Sequence, residues 1–241
     1  MSRPPPFALR WPAPETDLRK VTEARTFSGS LRLLARGWGV RVLLIQLVVV
    51  TVLRAMHSAP GLADLAVVAG VLVYWPLQEH LAHLILLHFK PLKLGPITID
   101  PLSARVHRWH HEHPWLMEAV FVPWPVILML VPVHAALWWF LMPTPTLALT
   151  GMVAFTALTI GYEWVHLLAH LPYRPRLAHL QRIQVHHRHH HFKNERSWYA
   201  FMIPEIDRLF GTFPDYRTTP KSETVRTIID PAAEPSSADG A

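Results

Sequence analysis

From Ala119 to Tyr162 the chain runs 44 residues without an aspartate, glutamate, lysine or arginine. A soluble core has no use for so long an uncharged stretch. A bilayer asks for about 20 apolar residues per helical crossing. The run therefore reads as two crossings, broken at Met142-Pro143-Thr144-Pro145-Thr146, where prolines stop a helix. One span is expected at about 119–141 and the next at about 146–170. Upstream, Val42–Leu53 is uncharged and lies between Arg41 and Arg54, whose long side chains can reach the interface. With Trp38 as an aromatic anchor, it predicts a first span at about 38–57. A second span, at about 62–88, crosses Val67–Leu77 and continues as helix into a histidine-rich end.

Positive charge sets the expected orientation. The short loops near 55–62 and 142–146 contain no lysine or arginine. The other connections carry Arg19, Lys20, Lys90, Lys93, Arg105, Arg108, Arg174, Arg176, Arg182, Arg188, Lys193 and Arg196. Cytosolic loops hold the excess of such residues, so both termini and the intervening segments are expected on the cytosolic side. The fold class that follows is all-α integral membrane: four transmembrane helices with a cytosolic helical cap holding a histidine-rich dimetal site. Residues 1–37 read as a cytosolic surface segment without a signal-peptide pattern. Residues 38–215 read as the membrane-embedded unit, with its cap at 89–118 and 171–215, and 216–241 as a disordered tail.

The sequence holds 17 histidines and no cysteine. That excludes disulfides, cysteine-ligated zinc, iron–sulfur clusters and a cysteine nucleophile. Ten of the histidines form four clusters: His83 with His88; His107, His110 and His111; His166 with His170; and His187, His190 and His191. Spacings of three and four put side chains on one helix face, where two imidazoles can chelate one ion. His83 and His88 are five apart, about 140° around a regular helix. Either they serve different metals, or the helix ends or bulges between them.

The clusters sit at the same end of the expected spans, and the order "histidine pair, then H-x2-H-H" occurs twice. Two half-sites converging at the membrane surface would enclose two ions. Extra histidines at His80, His113, His186 and His189 leave the register open, and His80 can stand in for His83. Imidazole suits iron, zinc, copper and nickel. Ten rings exceed the three or four that one zinc takes, so two redox metals fit better. Glu79, Glu163 and Asp207 are candidates to orient metal-bound rings through their second nitrogen. Glu112 and Glu118 are weaker ones, since a solvated surface accounts for them. A non-catalytic metal-binding or transport protein is the alternative of another class. A transporter, however, is expected to hold its ligands near the bilayer midplane.

Several stretches resemble the fatty acid hydroxylase superfamily, also called the sterol desaturase family. They are Glu79 to His88, His107-Arg108-Trp109-His110-His111, Glu163-Trp164-Val165-His166 with His170, and His187 to Asn194. Asp207-Arg208-Leu209-Phe210-Gly211-Thr212 is similar to the family's closing D-x-x-F-G-T. The separations are nearest to the fatty acid 2-hydroxylase type. One departure is Leu84, where the family commonly has arginine. The resemblance implies a mixed-function oxygenase using two iron ions and O2, with zinc able to fill the site in a purified sample. It implies no catalytic side chain beyond the metal ligands and a membrane lipid as substrate. Electrons are expected from an external donor, cytochrome b5-like or a ferredoxin, docked on Arg174, Arg176, Arg182 and Arg188. No nucleic-acid partner is expected. Desaturation, or oxidation of a sterol or carotenoid, remains the alternative within the superfamily, and the separate third box tilts the reading toward hydroxylation.

Overall fold

The computed structural model describes residues 24–228. Most of the expected surface segment 1–37 therefore lies outside the described residues. Its described part forms helix α1, Phe27–Leu34, capped by the Thr26 hydroxyl on the Gly29 amide. Four apolar helical stretches follow, each long enough to cross a membrane. They are α2 (Trp38–Ala55), α3 (Leu62–Leu81, prolonged by a π-helical turn at Ala82–Leu87), α5 with α6 (Met117–Val120 and Trp124–Leu141) and α7 (Pro145–His170). Between them lie strands β1 (Leu92–Leu94) and β2 (Ile97–Ile99) and helix α4 (Leu102–Glu112). Helices α8 (Ala178–Phe192) and α9 (Ile206–Leu209) complete the cap.

The third span differs from expectation. Its helix is interrupted at Phe121-Val122-Pro123, because proline cannot supply the amide that a continuous helix needs. The break leaves the Val122 N–H without a helical acceptor, and the Glu163 carboxylate on α7 accepts it at 3.2 Å. Two glycines allow close helix approach. A Cβ on Gly151 would stand 2.4 Å from the Trp138 ring, and one on Gly39 would meet the Val122 carbonyl at 2.6 Å. Trp75, Trp138 and Tyr162 pack in the core with Phe155 and Phe201. Trp139 is 60 % exposed on the lipid-facing surface.

At the end away from the cap, Arg54 of α2 and Asp64 of α3 pair at 2.7 Å, and both bond the hydroxyl of Thr150 on α7. The three helices are thus tied by one buried polar knot. Asp64→Asn leaves the Arg54 charge without its counter-ion, so the thermal midpoint of the detergent-solubilised protein should fall. Arg54→Met with Asp64→Leu should recover most of the loss, which differential scanning fluorimetry would read.

Helix α7, at 26 residues, is about 39 Å long, against about 30 Å of hydrocarbon. The second span has the same 26 residues and the same direction. Both are longer than the hydrocarbon is thick, and the histidines lie in their last turns or just beyond, at the cap end.

Two expectations for the cap are corrected. It is not wholly helical: β1 and β2 pair antiparallel, with Leu92 opposite Ile99 and Leu94 opposite Ile97. Gly95 at φ +60° followed by Pro96 supplies the two-residue turn that this hairpin needs. Nor does chain order end at residue 215, since 216–228 packs on the cap and buries Val225 and Ile228. Apolar side chains among the polar ones anchor that segment. Residues 229–241 lie outside the described residues.

Candidate metal centre

The ten histidines singled out by spacing come together in two groups of five. One holds His83, His88, His107, His111 and His190; the other holds His110, His166, His170, His187 and His191. The sharing is reciprocal. In α4, His107 and His111 stay with the pair on α3, while His110 crosses to the pair on α7. In α8, His187 and His191 stay with the α7 pair, while His190 crosses to the α3 pair. The inner member of each H-x2-H-H thus serves the opposite half, as a pseudo-dyad requires.

The five-residue gap between His83 and His88 is resolved by a bulge, and the two rings share one group. The π-helical turn adds a residue, and the His88 N–H reaches the His83 carbonyl at 3.1 Å. This turn restores the two rings to one face.

Within each group the Nε2 atoms face one another. His83–His107, His107–His88 and His88–His190 stand at 3.1 Å, His110–His166 at 3.0 Å and His170–His187 at 2.8 Å. Ligands about 2.1 Å from one ion and at right angles are about 3 Å apart. The rings are therefore arranged as donors around two points.

Burial sets their charge. His88, His107, His110, His187, His190 and His191 are held well below the ordinary imidazole value, first by desolvation and then by neighbouring rings. His111 is pushed down to about 3, again by burial. Neutral rings offer the lone pair that a metal needs. Depressed values in the folded state give stability that is complete above about pH 6.5 and is lost as pH falls through the folded values. Circular dichroism from pH 7 down to 3 should therefore show a steep loss of cap helix beginning below about pH 6.5.

What orients the rings differs from expectation. Glu79, Glu163 and Asp207 make no hydrogen bond to any of the ten rings among the described residues. Backbone carbonyls take that place. Tyr199 O accepts from His83 Nδ1 at 2.6 Å, Ser197 O from His190 Nδ1 at 2.8 Å and Val225 O from His111 Nδ1 at 2.9 Å. These bonds put the proton on Nδ1 and leave Nε2 bare. The carboxylates act one step further out. Glu79 accepts from the amides of Phe201 and Met202, and Asp207 from those of Tyr199 and Ala200. Asp207 also accepts from His186 Nε2 at 2.6 Å and lies 3.3 Å from His80 Nδ1. Burial alone would raise Asp207, but bonds from His186, His80 and Thr212 outweigh it and hold the carboxyl below its ordinary value. His80 and His186 thus belong to a hub under the loop, and His83 keeps its place in the site.

Trp198 stands at φ +59°, a left-handed conformation that costs a bulky residue strain. Its neighbours on either side, Ser197 and Tyr199, are the two that turn carbonyls onto His190 and His83. Any residue carries a carbonyl, so no side-chain pattern in the sequence could have marked these positions.

The second group lacks such anchors. Nδ1 of His110, His166, His187 and His191 is buried without a hydrogen-bond partner among the described residues. Its rings pack instead on Phe201, whose centroid is 4.2 Å from that of His187 and 4.8 Å from that of His166. Of the arginines expected on a docking face, Arg188 is committed elsewhere: its guanidinium bonds the carbonyls of Ala169 and Leu171, closing the end of α7. Arg182 is exposed and paired with Glu205 at 2.9 Å.

Comparison with known proteins bears on the same region. The model of the family described as fatty acid hydroxylase matches residues 68–212. Among curated proteins nothing matches the chain. Among solved structures, the hydroxylase domain visible in full-length Scs7p is similar in fold, with a TM-score of 0.59 and 20 % identity. The match covers 76 % of this chain and 66 % of that one, so the chain spans just under two thirds of the length of the protein it matches.

Proposed function

The chain belongs to the fatty acid hydroxylase family, and from that premise we propose that it is a membrane-bound dimetal oxygenase, of the fatty acid 2-hydroxylase type, that hydroxylates a C–H bond of a lipid. The observation that carries this reading is the convergence of ten imidazoles on two points at one end of four apolar spans. Their bare Nε2 atoms, about 3 Å apart, fit a nitrogen-rich metal pair. His83, His88, His107, His111 and His190 would hold one ion, and His110, His166, His170, His187 and His191 the other. A bound iron pair supplies the activation of O2, and zinc can fill the same donors in a purified sample.

The residues of the chain set the conditions for that chemistry. Carbonyls of Ser197, Tyr199 and Val225 fix three rings. Phe201 and Tyr162, 5.3 Å apart between centroids, floor the site on its membrane side and keep water from that approach. The lipid arrives from the bilayer, because the site lies at the ends of the spans. The balance is R–H + O2 + 2e⁻ + 2H⁺ → R–OH + H2O. The two electrons come from an external cytochrome b5-like or ferredoxin donor, for which exposed Arg174, Arg176 and Arg182 offer an acidic partner a surface. Apart from Arg54, which is paired with Asp64 at the far end, lysine and arginine lie on the cap side of the described spans, which supports a cytosolic site with both termini on that side.

Lipid profiling of cells that express the chain tests the reading. The expected product is a lipid one oxygen heavier, formed only with O2, from a protein holding two metals per chain. A new double bond without added oxygen would move the reading to desaturation. An unchanged profile with metals bound would move it to a non-catalytic metal protein.

A further inference from the structure

The hairpin of β1 and β2 has no role in the reading above, and its pattern is unusual for a surface element. Leu92 and Ile99 are directly opposite, as are Leu94 and Ile97. Opposed pairs two residues apart share one face of a strand ladder. All four aliphatic side chains therefore lie on one side, with Lys93 and Thr98 on the other. Leu92, Leu94, Ile97 and Ile99 are 46 %, 53 %, 63 % and 42 % exposed. An isolated two-stranded hairpin is marginal in water, so such a face calls for a covering partner.

Position identifies the partner. The hairpin begins five residues after the second span ends at Leu87, and His88 between them already lies in the metal centre. It is thus held at the level where the bilayer meets the cap. Lys90 and Lys93 flank and back it, as suits anionic headgroups. Its base is clamped: Arg108 bonds the Phe89 carbonyl at 3.0 Å and both Asp100 oxygens at 2.7 Å. Arg108 belongs to α4, the helix that carries His107, His110 and His111.

We propose that the hairpin 92–99 is an interfacial anchor, with its aliphatic face in the acyl-chain border of the cap-side leaflet. Through Arg108 the anchor fixes α4, and with it three rings of the metal centre, relative to the membrane surface. This rests on the spans crossing a bilayer and not on the reaction, so it stands or falls separately from the hydroxylase reading.

The chain contains no cysteine, so a single introduced one labels uniquely. Ile97→Cys and Thr98→Cys, each carrying a small fluorophore on the full-length protein, are placed in vesicles of phosphatidylcholine and phosphatidylserine. The Ile97 probe should be quenched several-fold more by brominated acyl chains than the Thr98 probe, and iodide in the water should show the reverse. Equal quenching of both probes by iodide would overturn the anchor. So would disulfide formation between two Ile97→Cys chains, which would identify a second copy as the cover. In Arg108→Gln the Ile97 probe should stay in lipid while hydrogen exchange of amides 102–112 rises. Unchanged exchange would overturn the coupling to α4.

Discussion

His110→Ala and His190→Ala should each abolish hydroxylated product, by at least about 100-fold, while circular dichroism keeps the helical signal of the spans. Losing a partner one step outside the ligands already costs about 10–100-fold in metal affinity or activity. Loss of a ligand should cost no less. These two rings are the most informative, because each crosses to the ion of the other half. His110 is contributed by α4 to the group built on α7, and His190 by α8 to the group built on α3. Removing either one opens one group and unties the two halves from each other. His57→Ala, in the exposed loop at the far end, should leave the product unchanged. A wild-type rate in either of the first two variants would reject the ligand assignment.

The second large effect concerns metal removal. The first group has three rings anchored by carbonyls, and the second has four buried Nδ1 atoms with no such bond among the described residues. An anchored ring is held in the right tautomer and orientation, and is a stronger base toward the metal. A chelator added to the zinc-loaded protein should therefore withdraw the two ions in two phases, at rates about 10-fold or more apart. His170→Ala should remove the fast phase and His83→Ala the slow one. The anchor at Val225 belongs to a segment tied down by Ser222 and Thr224, both bonded to the Glu195 carboxylate, and by Arg226 on the Glu112 carbonyl. Ser222→Ala with Thr224→Ala and Arg226→Ala should speed the slow phase by roughly 10–100-fold and leave the fast phase alone. Release of both ions in one phase would show that the anchors do not matter.

The spans and histidine clusters were legible because they depend on side-chain type at fixed intervals. Uncharged length finds a crossing, and i, i+3 or i+4 histidines find a face. The crossing of His110 and His190 could be anticipated only as a dyad, since spacing tells which rings are neighbours but not which ion they share. The ring anchors were not legible, because Ser197, Tyr199 and Val225 act through carbonyls. The carboxylates misled for a related reason. Glu79 and Glu163 are close in sequence to histidines and Asp207 opens the D-x-x-F-G-T stretch, yet buried amides of the 199–202 loop and Val122 claim them first. An unpaired buried amide is as costly as an unoriented ring. Residues 216–228 looked disordered by composition, but Val225 and Ile228 suffice to seat the segment. The hairpin had its signal in Gly95-Pro96, which reads as a loop until the strands on either side are seen to pair.

The π-helical turn at Ala82–Leu87 bears on how the two halves are related. It holds one residue more than the corresponding stretch of α7, where His166 and His170 reach the same face of a regular helix. Excising one codon between those for His83 and His88 would give both histidine pairs the same spacing. One inserted codon is thus enough to account for the difference in step between the two ligand pairs, and a relative with a four-residue step in both places would fit the same centre without the π-helical turn.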